Sequence, residues 1–457
     1  MPAADALIDA LRERIPSSPI VTDPDVTEGY RRDFAKDPGA GQPLAVVRAT
    51  STADVQEVMR WATENSIPVI PRGAGSGLSG GATAVNGGIV LTTELMRDIE
   101  VDPVTRTAVV QPGLLNAEVK KAVAEHGLWY PPDPSSFEIC SIGGNAATNA
   151  GGLCCVKYGV TTDYILGMEV VLADGKAVRL GGPRLKDSAG FSLTKLFVGS
   201  EGTLGIITEV IVRLIPKQAP ASTVVGTFPA VADSTQAILD ITRVMRPAML
   251  EFMDRASIRA VEEVKRMGLD VDAHGMLIAQ SDSPGTDCSR EVEFMAEVFR
   301  NNNAADVFTT DDPEEGEAFA AARRFAIPAV ERKGTLLLED VGVPLPALPQ
   351  LIERIEEIAA ERDLLIAVIA HAGDGNTHPL IVHDPADPEE TARANLAFGE
   401  IMDFAISLGG TITGEHGVGR LKKNWLPSQV GEDVMDLTWR IKSALDPHNL
   451  LNPGAMF

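Results

Sequence analysis

From about residue 45 to 215, apolar residues come in short β-branched runs broken by glycine and proline. Leu44-Ala-Val-Val-Arg48, Ile67-Pro-Val-Ile-Pro71, Gly88-Ile-Val-Leu-Thr92, Thr107-Ala-Val-Val-Gln111, Met168-Glu-Val-Val-Leu172 and Gly205-Ile-Ile-Thr-Glu209 each predict a strand. Apolar residues at helical spacing fall between some of them, at 52–64 and 115–126. Ahead of these, residues 3–13 read as an amphipathic helix, followed by a loop to about 45. The region is α+β, and glycine dominates its loops.

The pattern breaks at Ile215-Pro-Lys-Gln-Ala-Pro220. From there to about 410, strands alternate regularly with amphipathic helices. One helix carries Leu348, Leu351, Ile352, Ile355 and Ile358 on a single face. This layout predicts a sheet with helices on one face. Two apolar runs, Leu364–Ala370 and Leu380–Val382, flank a glycine-rich turn. A helix-like segment at 391–408 leads to a second such turn, and a last helix is expected near 431–444. The expected division is 1–219, 220–410 and a tail 411–457. No internal repeat and no low-complexity segment occurs.

Composition narrows the partners. With 457 residues the chain holds two or more domains. A net charge of −24 argues against nucleic acid or an anionic membrane as partner, since both need a basic face. No apolar run approaches the roughly 20 residues of a membrane helix. The N-terminus lacks a signal pattern, so the cytoplasm is the expected location. Cys140, Cys154, Cys155 and Cys288 show no CxxC spacing, so neither a disulfide framework nor an iron–sulfur cluster is indicated.

Three glycine clusters stand out in the first half. Pro71-Arg-Gly-Ala-Gly-Ser-Gly-Leu-Ser-Gly-Gly81 contains a G-x-G-x-x-G match. It fails as a Rossmann fingerprint because 82–88 reads as loop leading into a strand, where that motif requires a helix. Successive glycines still free backbone N–H groups to form an anion nest, with Ser76 and Ser79 as hydroxyl donors. The other clusters are Ser141-Ile-Gly-Gly-Asn-Ala-Ala-Thr-Asn-Ala-Gly-Gly152, after Pro131-Pro-Asp-Pro-Ser-Ser136, and Gly199-Ser-Glu-Gly-Thr-Leu-Gly205. Any one of them is weak alone. Three in one domain point to a large dinucleotide lying across it.

The second half supplies the candidate chemistry. His371-Ala-Gly-Asp-Gly-Asn-Thr-His378 and Gly414-Glu-His-Gly417 are two turns rich in metal-ligating side chains. Residues seven apart on one unbroken strand would face opposite ways, but the intervening glycines let the chain turn and the histidines converge. His371, His378 and Glu415 form the ligand set of an open divalent site, leaving His416 as a base. A lone buried histidine is usually a hydrogen-bonded core residue; three clustered with a glutamate in a chain of seven histidines are a site. The site by itself would equally suit a zinc hydrolase acting on an ester or amide.

Together these segments resemble the FAD-binding flavoproteins of the vanillyl-alcohol oxidase / p-cresol methylhydroxylase type. HAGDGNTHPL and TGEHGVGR are similar to segments of the glycolate oxidase flavoprotein subunit and of the D-lactate and D-2-hydroxyglutarate dehydrogenases. The resemblance runs from about residue 40 to Phe457. It implies an α+β fold with a two-subdomain FAD-binding domain over 1–219, an antiparallel cap domain over 220–410, and a tail returning to the active site. It also implies that Arg72, Gly73, Ala74, Gly75, Ser76, Gly77 and Ser79 cradle the FAD pyrophosphate. Pro132, Ser135, Gly143, Gly144, Asn149, Gly151 and Ile207 would line the flavin. His371, His378 and Glu415 would hold the metal (zinc expected, with Mn or Fe as alternatives), His416 would be the base, and Asn452 would reach the substrate from the C-terminus.

Departures from the family pattern refine these expectations. Covalent members carry His or Cys in or near the glycine segments; loop 71–81 has neither, so FAD is expected to be non-covalent. In the hydroxyglutarate enzymes an Arg and a Lys grip the substrate carboxylates. Here Arg324, in the pair Arg323-Arg324, is the match for the first. Leu338 stands at the position of the Lys, and Leu380 replaces a polar residue two beyond the second histidine. Both favour a small monoacid. The implied reaction is metal-assisted oxidation of a 2-hydroxy acid, glycolate or D-lactate ahead of D-2-hydroxyglutarate. Electrons would pass on to a partner protein, a quinone or oxygen. A non-catalytic flavin-binding subunit is a third reading, and a homodimer is among the open oligomeric states.

Overall fold

The computed structural model describes residues 4–457. The chain forms two compact units. The first comprises the N-terminal part to Gly151, Val160–Lys217 and Glu415–Phe457; the second comprises Gly152–Gly159 and Gln218–Gly414. Relative to the sequence division, residues 152–159, 218–219 and 411–414 lie with the second unit. Residues 152–159 join the second unit because Lys157 and Tyr158 both bind the Asp282 carboxylate, and Leu153 packs in that unit's core. Residues 411–414 join it because Thr411 and Gly342 exchange backbone hydrogen bonds of 2.7 and 3.1 Å.

Besides a two-stranded pair, Leu128–Trp129 with Ile215–Pro216, the first unit contains two larger sheets. In one, Ala45–Arg48, Ile89–Thr92 and Val69–Arg72 run parallel, with Ile20–Val21 antiparallel at the edge. Helix Thr52–Asn65 buries Val55, Val58, Met59, Trp61 and Ala62 against it. Ser51 caps this helix by accepting from the Asp54 N–H, and Ser66 ends it in the left-handed region. The other sheet is antiparallel, in the order Ile99–Asp102, Thr107–Val110, Ile206–Arg213, Ile165–Val171, Ala177–Gly181. The tail returns to the first sheet: Val69 N–H donates to Leu450 O and Asn452 N–H to Val69 O, both at 2.8 Å. Strand Val69–Arg72 delivers the chain into the first glycine loop, and no helix follows it.

The second unit is built on one antiparallel sheet. Its order is Asp306–Thr310, Ser222–Phe228, Gly275–Ser281, Met249–Asp254, Ile366–His371, Asn376–His383, Thr335–Leu338, with Val341–Gly342 also paired to Asn376–His383. Helices cover both faces, not one. Phe299 of helix Thr286–Asn301 meets Gly226 and stacks edge-on with Phe228. Val225, pointing the other way, packs with Ile258 and Val330 of two other helices. The sequence signature of a doubly covered sheet is a strand with no polar alternation. Met249–Asp254 and Ile366–His371 are buried at every position.

Among the described residues, no helix is long and apolar enough to cross a membrane.

Candidate functional site

In the first unit, the glycine loop closes on itself and on the second glycine segment. Gly75 is in the left-handed region (φ +76°), and a Cβ there would lie 2.0 Å from Arg72 Nη2. Arg72 is fixed in turn, donating from Nη1 to Arg32 O at 3.0 Å and lying over the Tyr30 ring. A Cβ on Gly73 would come within 2.4 Å of Ser141 Oγ. That hydroxyl accepts from Ala74 N–H and Gly144 N–H, tying the loop to the start of helix Ile142–Thr148. The loop and the second cluster, 70 residues apart in sequence, are therefore one surface.

Other expected flavin residues are placed as follows. Gly143 donates to Pro112 O at 2.8 Å, and a Cβ on it would overlap that proline. Asn149 caps the helix in the left-handed region, with its Oδ1 accepting from Thr162 N–H. Pro132 O accepts from Asn116 Nδ2, Ile207 is buried on strand Ile206–Arg213, and Ser135 is exposed. Ser76 and Gly77 lie in the loop, where a Cβ on Gly77 would meet the Asp33 carboxylate at 3.2 Å.

Two acids that sequence reading passed over organise this surface. Asp33 accepts from Ala35 and Ala82 N–H, and burial pushes its carboxyl up to about 6. Glu201, in the third glycine cluster, accepts from Val418 N–H at 2.7 Å and Gly419 N–H at 2.8 Å. Burial pushes it up to about 7. Asn452 commits its amide hydrogens to Gly81 O and Glu201 O, both at 2.7 Å. These two bonds fasten the first glycine loop to the third.

Glu415 and His416 also lie in this unit. A Cβ on Gly151 would fall 2.4 Å from Glu415 Oε2, so the bare glycine makes room for that carboxylate. His416 Nε2 is 3.8 Å from Glu415 Oε1. The GEHG turn thus sits against the second glycine segment.

The second unit brings the other two histidines together. Strands Ile366–His371 and Asn376–His383 form a hairpin whose turn uses Gly375 at φ +84°. A side chain there would meet Val343 O at 2.3 Å. The register sets His378 opposite Ile369, so His371 and His378 are diagonal neighbours on one sheet face. Their rings lie edge-on, centroids 5.1 Å apart, and both are buried. Glu251 stands directly opposite His371 on the next strand, with Oε1 2.8 Å from His371 Nδ1. Its other oxygen pairs with Arg323 Nη2 at 2.9 Å. Asp340 Oδ1 is 3.7 Å from His378 Nδ1, while Asp340 Oδ2 accepts from Thr413 Oγ1 and Gly414 N–H. Gly414 is the residue before Glu415.

The arginine pair splits. Arg323 is buried in the histidine network. Arg324 Nη1 pairs instead with Glu317 Oε1 at 2.6 Å, a partner that is mostly exposed. Glu251 and Asp340 were missed in the sequence, although each carries a visible signal: an acid inside an apolar strand, Met249-Leu-Glu-Phe-Met253, and one ending the run Leu336-Leu-Leu-Glu-Asp340.

Residues 217–456 match the family FAD linked oxidases, C-terminal domain, and residues 43–181 match an FAD binding domain. The chain belongs to the FAD-linked oxidases. This FAD-linked oxidase is similar to glycolate oxidase subunit GlcD of Bacillus subtilis (strain 168), 42% identical over 91% of this chain and 89% of that protein. It is also similar to D-lactate dehydrogenase of Archaeoglobus fulgidus, 34% identical over 91% and 92%. Among solved structures, p-cresol methylhydroxylase with substrate bound shares the fold, with a TM-score of 0.82 at 19% identity over 99% of this chain and 96% of that one.

The residues of this FAD-linked oxidase suit its cofactor. Among the described residues, the buried hydroxyls of Ser79 and Thr83 have no hydrogen-bond partner. Ser79 lies in the loop expected to receive the pyrophosphate and Thr83 two residues beyond its end; hydroxyl and N–H donors are what a phosphate needs. The histidines suit a divalent metal: a ligating imidazole ordinarily sets its second nitrogen against a carboxylate, as His371 does against Glu251.

Proposed function

We propose that this FAD-linked oxidase converts a short 2-hydroxy acid, glycolate or D-lactate, to the 2-oxo acid, assisted by a divalent metal on His371, His378 and Glu415. The observation that carries the reading is the buried pair of imidazoles, one of them, His371, set against the Glu251 carboxylate at 2.8 Å, in a chain whose relatives are named for glycolate and D-lactate. Support for Glu415 as the third ligand is its place one residue beyond Gly414, whose N–H Asp340 holds. Zinc fits this ligand set, and Mn or Fe is also accommodated. FAD is held without a covalent bond, loop 71–81 having no His or Cys.

Each residue has a task. Arg323, the cation in the histidine network, pairs with the substrate carboxylate; Arg324, bound to Glu317, is the weaker candidate. His416 accepts the proton of the substrate hydroxyl on a ring nitrogen. FAD held by the glycine loops would supply the hydride acceptor, and a metal on His371, His378 and Glu415 would supply the charge that lowers the pKa of the hydroxyl. Leu338 and Leu380 give the site an apolar wall, which suits glycolate or D-lactate better than a dicarboxylate. The acceptor that reoxidises the enzyme would be a partner protein, a quinone or oxygen.

Anaerobic mixing of the purified protein with a panel of hydroxy acids tests this reading. Glycolate or D-lactate bleaches the flavin, and D-2-hydroxyglutarate does so more slowly. A colourless protein that hydrolyses esters, or a yellow one that no 2-hydroxy acid bleaches, contradicts it.

A further inference from the structure

We infer that Glu251 is a positioning residue that couples metal binding to substrate-carboxylate binding through a single side chain; the inference rests on the metal reading above. Its two oxygens have two different partners: Oε1 meets His371 Nδ1 at 2.8 Å, and Oε2 meets Arg323 Nη2 at 2.9 Å. All three side chains are buried, with Glu251 fully so. Glu251 and His371 are cross-strand partners in register, and the flanking pairs Phe252–Ala370 and Met253–Ile369 hold that register. The contact is thus set by the sheet and not by a mobile loop.

Two consequences follow from this geometry. A carboxylate is an acceptor only, so a neutral His371 must carry its proton on Nδ1. The lone pair is then on Nε2, available to a metal, and the negative charge strengthens the imidazole as a ligand. Arg323, pinned to the other oxygen, is held at a fixed offset from His371. A substrate whose hydroxyl and carboxylate sit on adjacent carbons fits two recognition points a fixed distance apart. Glu251 therefore links the two recognition points, acting through His371 and Arg323 without touching substrate.

Glutamine cannot replace it. An amide accepts on one side only, so either His371 or Arg323 would face an NH₂ group. Removing one partner of a buried ion pair also destabilises the fold by leaving the other charge uncompensated. A double variant, Glu251→Met with Arg323→Met, removes both charges together and avoids leaving a buried one unpaired.

The test is a zinc titration of metal-depleted, flavin-loaded protein by equilibrium dialysis, with the flavin absorbance as the measure of folding. Glu251→Gln and the double variant are expected to lose about 10–100-fold in zinc affinity with the flavin spectrum unchanged. Glu251→Asp, which keeps the charge, recovers part of the loss. Zinc affinity within twofold of the parent in both Glu251→Gln and the double variant, while His371→Ala abolishes binding, overturns the positioning role and leaves the metal site standing. Unchanged zinc affinity in His371→Ala sinks the metal reading itself, and this inference with it.

Discussion

Leu338 and Leu380 are directly opposed on neighbouring antiparallel strands, and both pack into the core cluster that fills the histidine face of the second unit. Leu380 is two residues beyond His378, so its side chain is on the same face as the imidazole. The two positions at which the chain departs from the hydroxyglutarate pattern are therefore one contact, a single apolar patch beside the histidines.

The proposed function makes that patch the place where substrate length is set. Leu338→Lys would place an ammonium where a second substrate carboxylate could reach it. A charge-assisted hydrogen bond contributes about 1.5–3 kcal/mol, so kcat/KM for D-2-hydroxyglutarate should rise by about tenfold or more. D-Lactate turnover should not gain. Steady-state assays on both acids with a dye acceptor check this; equal changes for the two would remove Leu338 from the specificity account.

Arg324 and Arg323 should behave differently. The Arg324–Glu317 pair joins a half-buried guanidinium to a mostly exposed carboxylate, and pairs with an exposed partner contribute about 0.2–1 kcal/mol. Arg324→Ala should therefore leave KM for the preferred acid within about twofold. Arg323→Lys keeps a positive charge but loses the planar fork, and should raise KM by about tenfold or more. A large KM effect in Arg324→Ala with a silent Arg323→Lys would reverse the assignment.

Much of this arrangement was legible in the sequence. The strands at 45–48, 69–72, 89–92 and 107–110, the helix at 52–65 and the hairpin around the glycine turn follow from apolar period and turn chemistry. The absence of a helix after loop 71–81 separates it from a Rossmann motif, and the chain indeed continues to strand Ile89–Thr92. What was not legible depends on contacts between distant segments. Nothing local says that Lys157 and Tyr158 will hold Asp282, which carries Gly152–Gly159 into the second unit. Helices on both faces of the second sheet were hidden because an all-apolar strand has no alternation to count. Asn452 is as much a tail residue in sequence as any substrate contact, and only its two carbonyl partners reveal a clip. Glu251 is 120 residues from His371, and sheet register alone unites them.

Stability should respond to pH through Glu201. Its folded pKa, about 7, lies above the ordinary value of 4.5 because the carboxyl is buried. Between those values the native state holds a proton that the unfolded chain has lost, so this group's contribution falls as pH rises through the window. Glu201→Gln, neutral at every pH, removes that loss. The variant's Tm relative to the parent should therefore increase from pH 5 to pH 8. A difference independent of pH would show that Glu201 titrates normally.

His416→Asn should leave flavin content and zinc content unchanged. Flavin reduction by the preferred acid in stopped flow should slow by about 10²–10⁴, the usual contribution of a general base. A near-normal rate would move the base to another group.

The central claim joins a flavin to a metal-held hydroxy acid, and metal removal tests it most directly. Protein stripped with a chelator, verified metal-free by elemental analysis and still yellow, is mixed anaerobically with glycolate or D-lactate. Flavin bleaching should be nearly abolished, since a catalytic metal contributes several kcal/mol, and should return on adding zinc or manganese. Bleaching at the untreated rate by the metal-free protein would contradict the account.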